Sequence, residues 1–82
     1  MDAATAILWD QNDRSYRTFY VSGWDGYIRC YLIEGNSSKK LIQKWDKYLN
    51  FPVICMDILG DIIVFGLATG HVGFMNVNNG NV

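Results

Sequence analysis

The strongest nucleophiles and metal ligands in this 82-residue chain are one imidazole, His71, and two thiols, Cys30 and Cys55. A nucleophilic triad needs a hydroxyl or thiol, a histidine within reach of it and a carboxylate to orient the ring. His71 follows the turn glycine Gly70 and opens a strand-like segment, so it reads as a hydrogen-bonded or solvated strand residue. Two cysteines and one histidine do not complete the four ligands of a structural zinc site. Both thiols sit inside apolar segments and are expected to be buried and reduced. Asp57 and Asp61 are close in sequence, yet the Gly60-Asp61 turn explains the second, and Asp57 alternates outward from Met56 and Ile58. The polar run Asn78-Asn79-Gly80-Asn81 lacks the acids of a cation loop. No catalytic, metal or cofactor set is expected, and the chain reads as a non-enzyme.

Composition narrows the alternatives. Half of the residues are apolar and 15% aromatic, above the level at which chains stay disordered. Eight acids against seven bases give a net charge of −1, without the basic stripe that tracks phosphates. Lys39, Lys40, Lys44 and Lys47 are the main basic concentration and read as the solvated face of an edge strand. Arg14, Arg17 and Arg29 are scattered and add little to a nucleic-acid case. The start, Met1-Asp2-Ala3-Ala4, has no basic region, its apolar run is short, and no stretch reaches the ~18–20 apolar residues of a membrane helix. A nuclear or cytoplasmic, non-secreted protein is expected. Asn36-Ser37-Ser38 fits a glycosylation triplet but reads as a polar loop.

The hydrophobic period is two. β-branched and aromatic runs at 18–21 and 27–33 flank Asp25-Gly26, a hairpin signal because glycine accepts the positive φ of a tight turn. A polar break at 34–38 precedes a more polar strand over 40–45. Residues 46–51 read as a loop, and Pro52 marks a strand start. Strands follow at 53–58, 62–66 and 71–77, with turns at Gly60-Asp61 and Thr69-Gly70. Setting Gly26 against Gly70 gives a spacing of 44 residues, at which Val21 meets Phe65, Ile28 meets Val72, Cys30 meets Phe74 and Ile33 meets Val77. The first strands also match, 6–9 against 55–58, with a longer hairpin (10–17) in the first unit. About four strands at a spacing near ~40–45 residues is the pattern of propeller blades.

Ser22-Gly23-Trp24-Asp25-Gly26-Tyr27-Ile28-Arg29-Cys30-Tyr31 resembles the second and third strands of a WD-repeat blade, and 65–77 is a weaker copy. The resemblance covers about 4–80. Departures are the closing Trp-Asp pair, here Tyr31-Leu32 and Met75-Asn76, and the Gly-His opening, replaced by Phe51-Pro52-Val53. The turn aspartate, Asp25, is Thr69 in the second copy, so the hydrogen-bonded tetrad of standard blades is incomplete. Trp24-Asp25-Gly26, the linker at 35–40 and Pro52-Val53-Ile54-Cys55 are similar to the mRNA-export factor and mitotic-checkpoint subfamily. The resemblance implies an all-β chain of about two antiparallel propeller blades, 1–50 and 51–82, the second with three strands. Two blades do not close a ring, so further blades are expected in cis or in another chain. The resemblance also gathers Trp24, Asp25, Tyr48, Asn50, Phe51, Thr69 and His71 on one loop face. It implies a scaffold that binds peptide segments of partner proteins in nuclear mRNA export or checkpoint assembly. The alternative is a small self-associating β-module that binds a ligand such as a sugar through aromatic clefts.

Overall fold

A computed structural model describes residues 3–11, 13 and 17–78; Arg14 and the 79–81 part of the closing polar turn lie outside the described residues. The chain is all-β, with seven strands and no helix among the described residues. The first sheet runs in the order β1 (Ala4–Trp9), β2 (Thr18–Gly23), β3 (Tyr27–Glu34), β4 (Lys40–Tyr48), and the second is β5 (Val53–Leu59), β6 (Ile62–Leu67), β7 (Val72–Asn76). Every neighbouring pair is antiparallel and consecutive in sequence, as short hairpin connections require.

The two sheets are register copies of one another. All five β2–β3 partner pairs, from Thr18 with Leu32 to Ser22 with Ile28, recur 44 residues later, from Ile62 with Asn76 to Gly66 with Val72. The β1–β2 pairs recur in β5–β6 with the first strand displaced by 49 residues: Ala6 and Ser22 become Cys55 and Gly66, Trp9 and Phe19 become Ile58 and Ile63. The register shift between Ala4 and Ala6 also returns, between Val53 and Cys55. A bulge at the same place in both copies bends each first strand alike.

The copies pack face to face through one apolar cluster. Tyr20, Ile28 and Cys30 of the first sheet meet Val53, Met56, Ile63, Phe65 and Met75 of the second, with Val77 joining them. Polar links fasten the seam. The Thr5 hydroxyl donates to the Val53 carbonyl at 2.7 Å, so its oxygen accepts from the Ser22 hydroxyl at 2.6 Å, which satisfies a fully buried serine. The Trp45 indole N–H donates to the Val77 carbonyl at 3.1 Å.

Most strand ends fall within two residues of the sequence expectation, and two of the differences have a visible cause. The strand expected over 40–45 continues to Tyr48, because Asp46, Lys47 and Tyr48 pair with Arg29, Ile28 and Tyr27. Lys44 is skipped between the Cys30–Trp45 and Tyr31–Gln43 pairs. It is therefore a bulge residue on an edge strand, which together with the exposed Lys39 and Lys40 discourages edge pairing. The strand expected from His71 starts instead at Val72, since the His71 carbonyl accepts from Leu67 N–H in the turn.

The thiols also depart from expectation: Cys30 is buried, but Cys55 is exposed. The bulge at the start of β5 and the strand alternation turn Cys55 to the face away from the first sheet. Burial pushes the Cys30 thiol up to about 11. Alkylation at neutral pH is expected to modify Cys55 alone in the native state, with Cys30 reacting only on unfolding; mass spectrometry of the labelled protein reads this directly.

Candidate functional site

Antiparallel pairing sends alternate connections to opposite ends of the sheets, and one end collects the β2–β3 turn, the β4–β5 loop and the β6–β7 turn. Backbone hydrogen bonds stitch these segments together. Trp24 N–H donates to Ala3 O at 3.1 Å, Leu49 N–H to Gly26 O at 2.8 Å, and Ala68 N–H to Pro52 O at 2.9 Å. All seven residues expected on a loop face, from Trp24 to His71, stand on these connections or at the strand end leading into them.

Their environments divide them into a supporting group and a presenting group. Asp25 supports. One carboxylate oxygen accepts Tyr27 N–H at 3.2 Å, and the other is 2.8 Å from the Arg29 guanidinium, with both side chains mostly shielded. Arg29 lies over the Tyr27 ring at 4.5 Å, and Tyr27 packs on Tyr48 with ring centroids 5.0 Å apart. A chain of contacts thus runs Asp25, Arg29, Tyr27, Tyr48, and fixes the turn to the end of β4. Asn50, the one non-glycine residue at positive φ among those described (φ 72), reverses the chain after β4. Asparagine tolerates this conformation better than most residues.

Trp24, Phe51 and the outer side of Tyr48 present about half of their surface to solvent. Trp24 does not pack beneath another sheet. Thr69 and His71 are exposed and share a 2.9 Å hydrogen bond between Oγ1 and Nδ1, which limits the ring's rotation. The end face therefore offers aromatic surface flanked by an amide, a hydroxyl and an imidazole, held on a short, hydrogen-bonded framework.

Sequence reasoning overlooked Tyr27 and Arg29, the residues that brace Asp25. The signal was the period-two spacing 25, 27, 29, which puts an acid at the turn and a base two strand positions later on one side of the hairpin. The Arg29 hydrogen bond holds the Asp25 carboxyl below its ordinary value of 3.8, helped by the Tyr27 N–H. A carboxyl depressed by folding contributes stability that is complete above its unfolded value and is lost as pH falls through the lower, folded one. Thermal melting is expected to fall on acidification below 3.8 with a component that Asp25→Asn removes. In Arg29→Ala the Asp25 titration, followed by NMR, is expected to move up toward the ordinary value.

At the opposite end a polar recess of about 150 Å³ is lined by Asp10, Thr18, Tyr20 and Lys44, among others. The Tyr20 hydroxyl donates to Asp10 there at 2.9 Å. Burial, followed by that bond, raises the Tyr20 pKa, so the phenol stays protonated and structural. Among the described residues no three of His, Cys, Asp and Glu are placed to share a metal ion. No helix among them is long and apolar enough to cross a membrane.

Compared with known proteins, the chain matches no family model, no curated protein and no solved structure.

Proposed function

We propose that the chain is a non-catalytic interaction module whose end face binds extended peptide segments of protein partners. The observation that carries this reading is the end face itself. Trp24, Tyr48 and Phe51 stay exposed although Trp24 N–H is bonded to Ala3 O, Tyr48 pairs with Tyr27 across β3 and β4, and Leu49 and Pro52, on either side of the Asn50-Phe51 step, are bonded to Gly26 and Ala68. Exposed aromatic side chains on rigid supports lose little entropy on binding and supply the anchor area that peptide recognition uses. Asn50, Thr69 and His71 add polar groups that can set the register of a bound backbone.

The register copy of one sheet in the next, at 44 residues, supports reading the two sheets as consecutive propeller blades of the WD-repeat kind. In that reading the end face is the loop surface of the blades, and nuclear partners in mRNA export or checkpoint assembly follow from the resemblance of the Trp24-Asp25-Gly26 turn. A sugar-binding alternative has its own observation: Trp9, Phe19 and Tyr31 stack along the first sheet with centroids 5.3 and 5.5 Å apart, a surface of the kind on which pyranose rings stack.

Selection of peptides from a displayed random library separates the two. Peptides bound by the wild-type chain are expected to lose at least tenfold in affinity against a Trp24→Ala, Phe51→Ala variant with unchanged circular dichroism. Equal binding by the variant would sink the end-face reading. Thermal stabilisation by free monosaccharides, abolished by Trp9→Ala, would favour the alternative.

A further inference from the structure

Charge in this chain is segregated. All four lysines fall within 39–47, on β4 and the residue leading into it, although the net charge of the chain is −1. β4 is an edge of the first sheet: it pairs with β3 on one side and with no strand on the other among the described residues. It lies in the interior of the chain, between β3 and β5.

The bulge at Lys44 aligns the lysines. In an uninterrupted strand residues 40 and 44 share one face and 47 takes the other. Skipping Lys44 shifts that alternation. Lys40 stands opposite Glu34, Trp45 opposite Cys30 and Lys47 opposite Ile28, all on the face turned toward the second sheet. Lys44 borders the same recess as Cys30 and Trp45, so it points to that side too. Lys40, Lys44 and Lys47 therefore form a row of about 20 Å along the rim, at ~3.3 Å per residue. The row is uncompensated: among the described residues no lysine has an ion-pair or hydrogen-bond partner. Asp46 accepts from Gln43 at 3.2 Å on the other face, Asp10 accepts from Tyr20, and Glu34 stands across from Lys40 without pairing with it. On the face opposite the row, Leu41 is 59% exposed.

We infer that the β4 edge takes an extended acidic segment of a partner protein as an added strand, its carboxylates on the Lys40, Lys44 and Lys47 row and an apolar side chain on Leu41. Over Lys40–Gln43 the pairing with β3 is regular, so the free edge there offers its own N–H and C=O groups to an incoming strand. Alternation in that strand sends acids to one face and apolar residues to the other, as the two sides of β4 require. A second copy of the chain does not fit, because its β4 edge carries the same lysines; charges that repel a like edge attract an opposite one. A nucleic acid fits less well. The row has no arginine fork, and Trp45, the aromatic residue beside it, is half-buried with its N–H bonded to Val77. Exposed ion pairs are individually weak and screened by salt, so the contact is weak and salt-sensitive. The inference does not rest on the end-face reading.

Fluorescence anisotropy of a labelled peptide of about ten residues, alternating glutamate and valine, tests it on the full chain. Binding is expected, and it should weaken at least about fivefold as salt rises from about 50 to about 500 mM. Lys40→Glu combined with Lys44→Glu is expected to weaken it about tenfold or more, with circular dichroism unchanged and library-selected peptides bound as before. The Trp24→Ala, Phe51→Ala variant should bind the acidic peptide as the wild-type chain does, so the two surfaces fail separately. A peptide N-methylated at alternate amides, made in both registers, keeps its charge but loses strand pairing in one of them. In that register it is expected to bind the wild-type chain about tenfold more weakly, a readout that stands even where the lysine variant fails to fold. No binding of the acidic peptide, or binding undiminished by N-methylation in either register, would overturn the inference. Tighter binding of a thymidine oligonucleotide of equal charge would overturn it as well.

Discussion

Replacing Ile28 by alanine is expected to remove about 2–5 kcal/mol of stability, while the same change at its register copy, Val72, removes less than ~1 kcal/mol. The two β-branched residues, one methylene apart in size, occupy the same strand position. Each sits on the third strand of its unit, two residues after the turn glycine, opposite Ser22 in one case and Gly66 in the other. What separates them is the layer above. Ile28 lies in the seam with Val53, Ile63 and Met75 around the shared cluster, so truncation leaves a cavity between two sheets that relax only partly. Val72 faces outward with three quarters of its surface in water, so truncation there removes few contacts and costs mainly strand propensity. Chemical denaturation in dilute solution measures both. Equal losses would mean that the sheets do not share the seam described.

The second large effect concerns the turns. Gly26 and Gly70 are copies, both with positive φ, 87° and 91°. An alanine at either must adopt the left-handed region at a cost of ~1–2 kcal/mol. Nothing stands within 4 Å of a Cβ at Gly70, so the cost there stops at the backbone. At Gly26 the added carbon would lie 3.0 Å from the Tyr48 ring and 3.2 Å from the Phe51 carbonyl. The ring can shift, but the carbonyl belongs to the stitched loop, so overpacking of about 1–3 kcal/mol adds to the strain. Gly26→Ala is therefore expected to cost about 2–4 kcal/mol and Gly70→Ala about half of that. Gly26→Ala should also disturb Tyr48 and Phe51 and so weaken peptide binding beyond the fold's loss of stability. A Gly70→Ala variant as damaging as Gly26→Ala would contradict the close packing of the first turn on the β4–β5 loop.

Much of the fold was legible because its signals are short-range. The alternation of apolar and polar residues, the Asp25-Gly26 and Thr69-Gly70 turns and the 44-residue spacing anticipated all seven strands and their order within each unit. The end of β4 was hidden because Asp46 and Lys47 are poor strand formers taken alone; cross-strand pairing with Arg29 and Ile28 overrides that preference. The exposure of Cys55 was hidden for a related reason. An apolar run does not say which face of a sheet is covered, and a bulge one residue earlier sets the alternation. At the end face, the sequence indicated which connections meet through the family resemblance. It did not indicate that Asp25 is committed to Arg29 and Tyr27, because that commitment depends on side-chain placement across the hairpin. Trp24 stands at that end with about half of its surface in water.

The most direct test of the functional proposal is the set of amide and indole NMR shifts perturbed when a selected peptide is titrated into the labelled chain. The expected perturbations are confined to one end: the Trp24 indole and the amides of Gly26, Leu49, Phe51, Thr69 and His71. The opposite end, Asp10, Gly35 and Asp61, should stay unmoved. Perturbations centred on that opposite end, or spread over the Val72 and Phe74 face, would contradict recognition by the turn face.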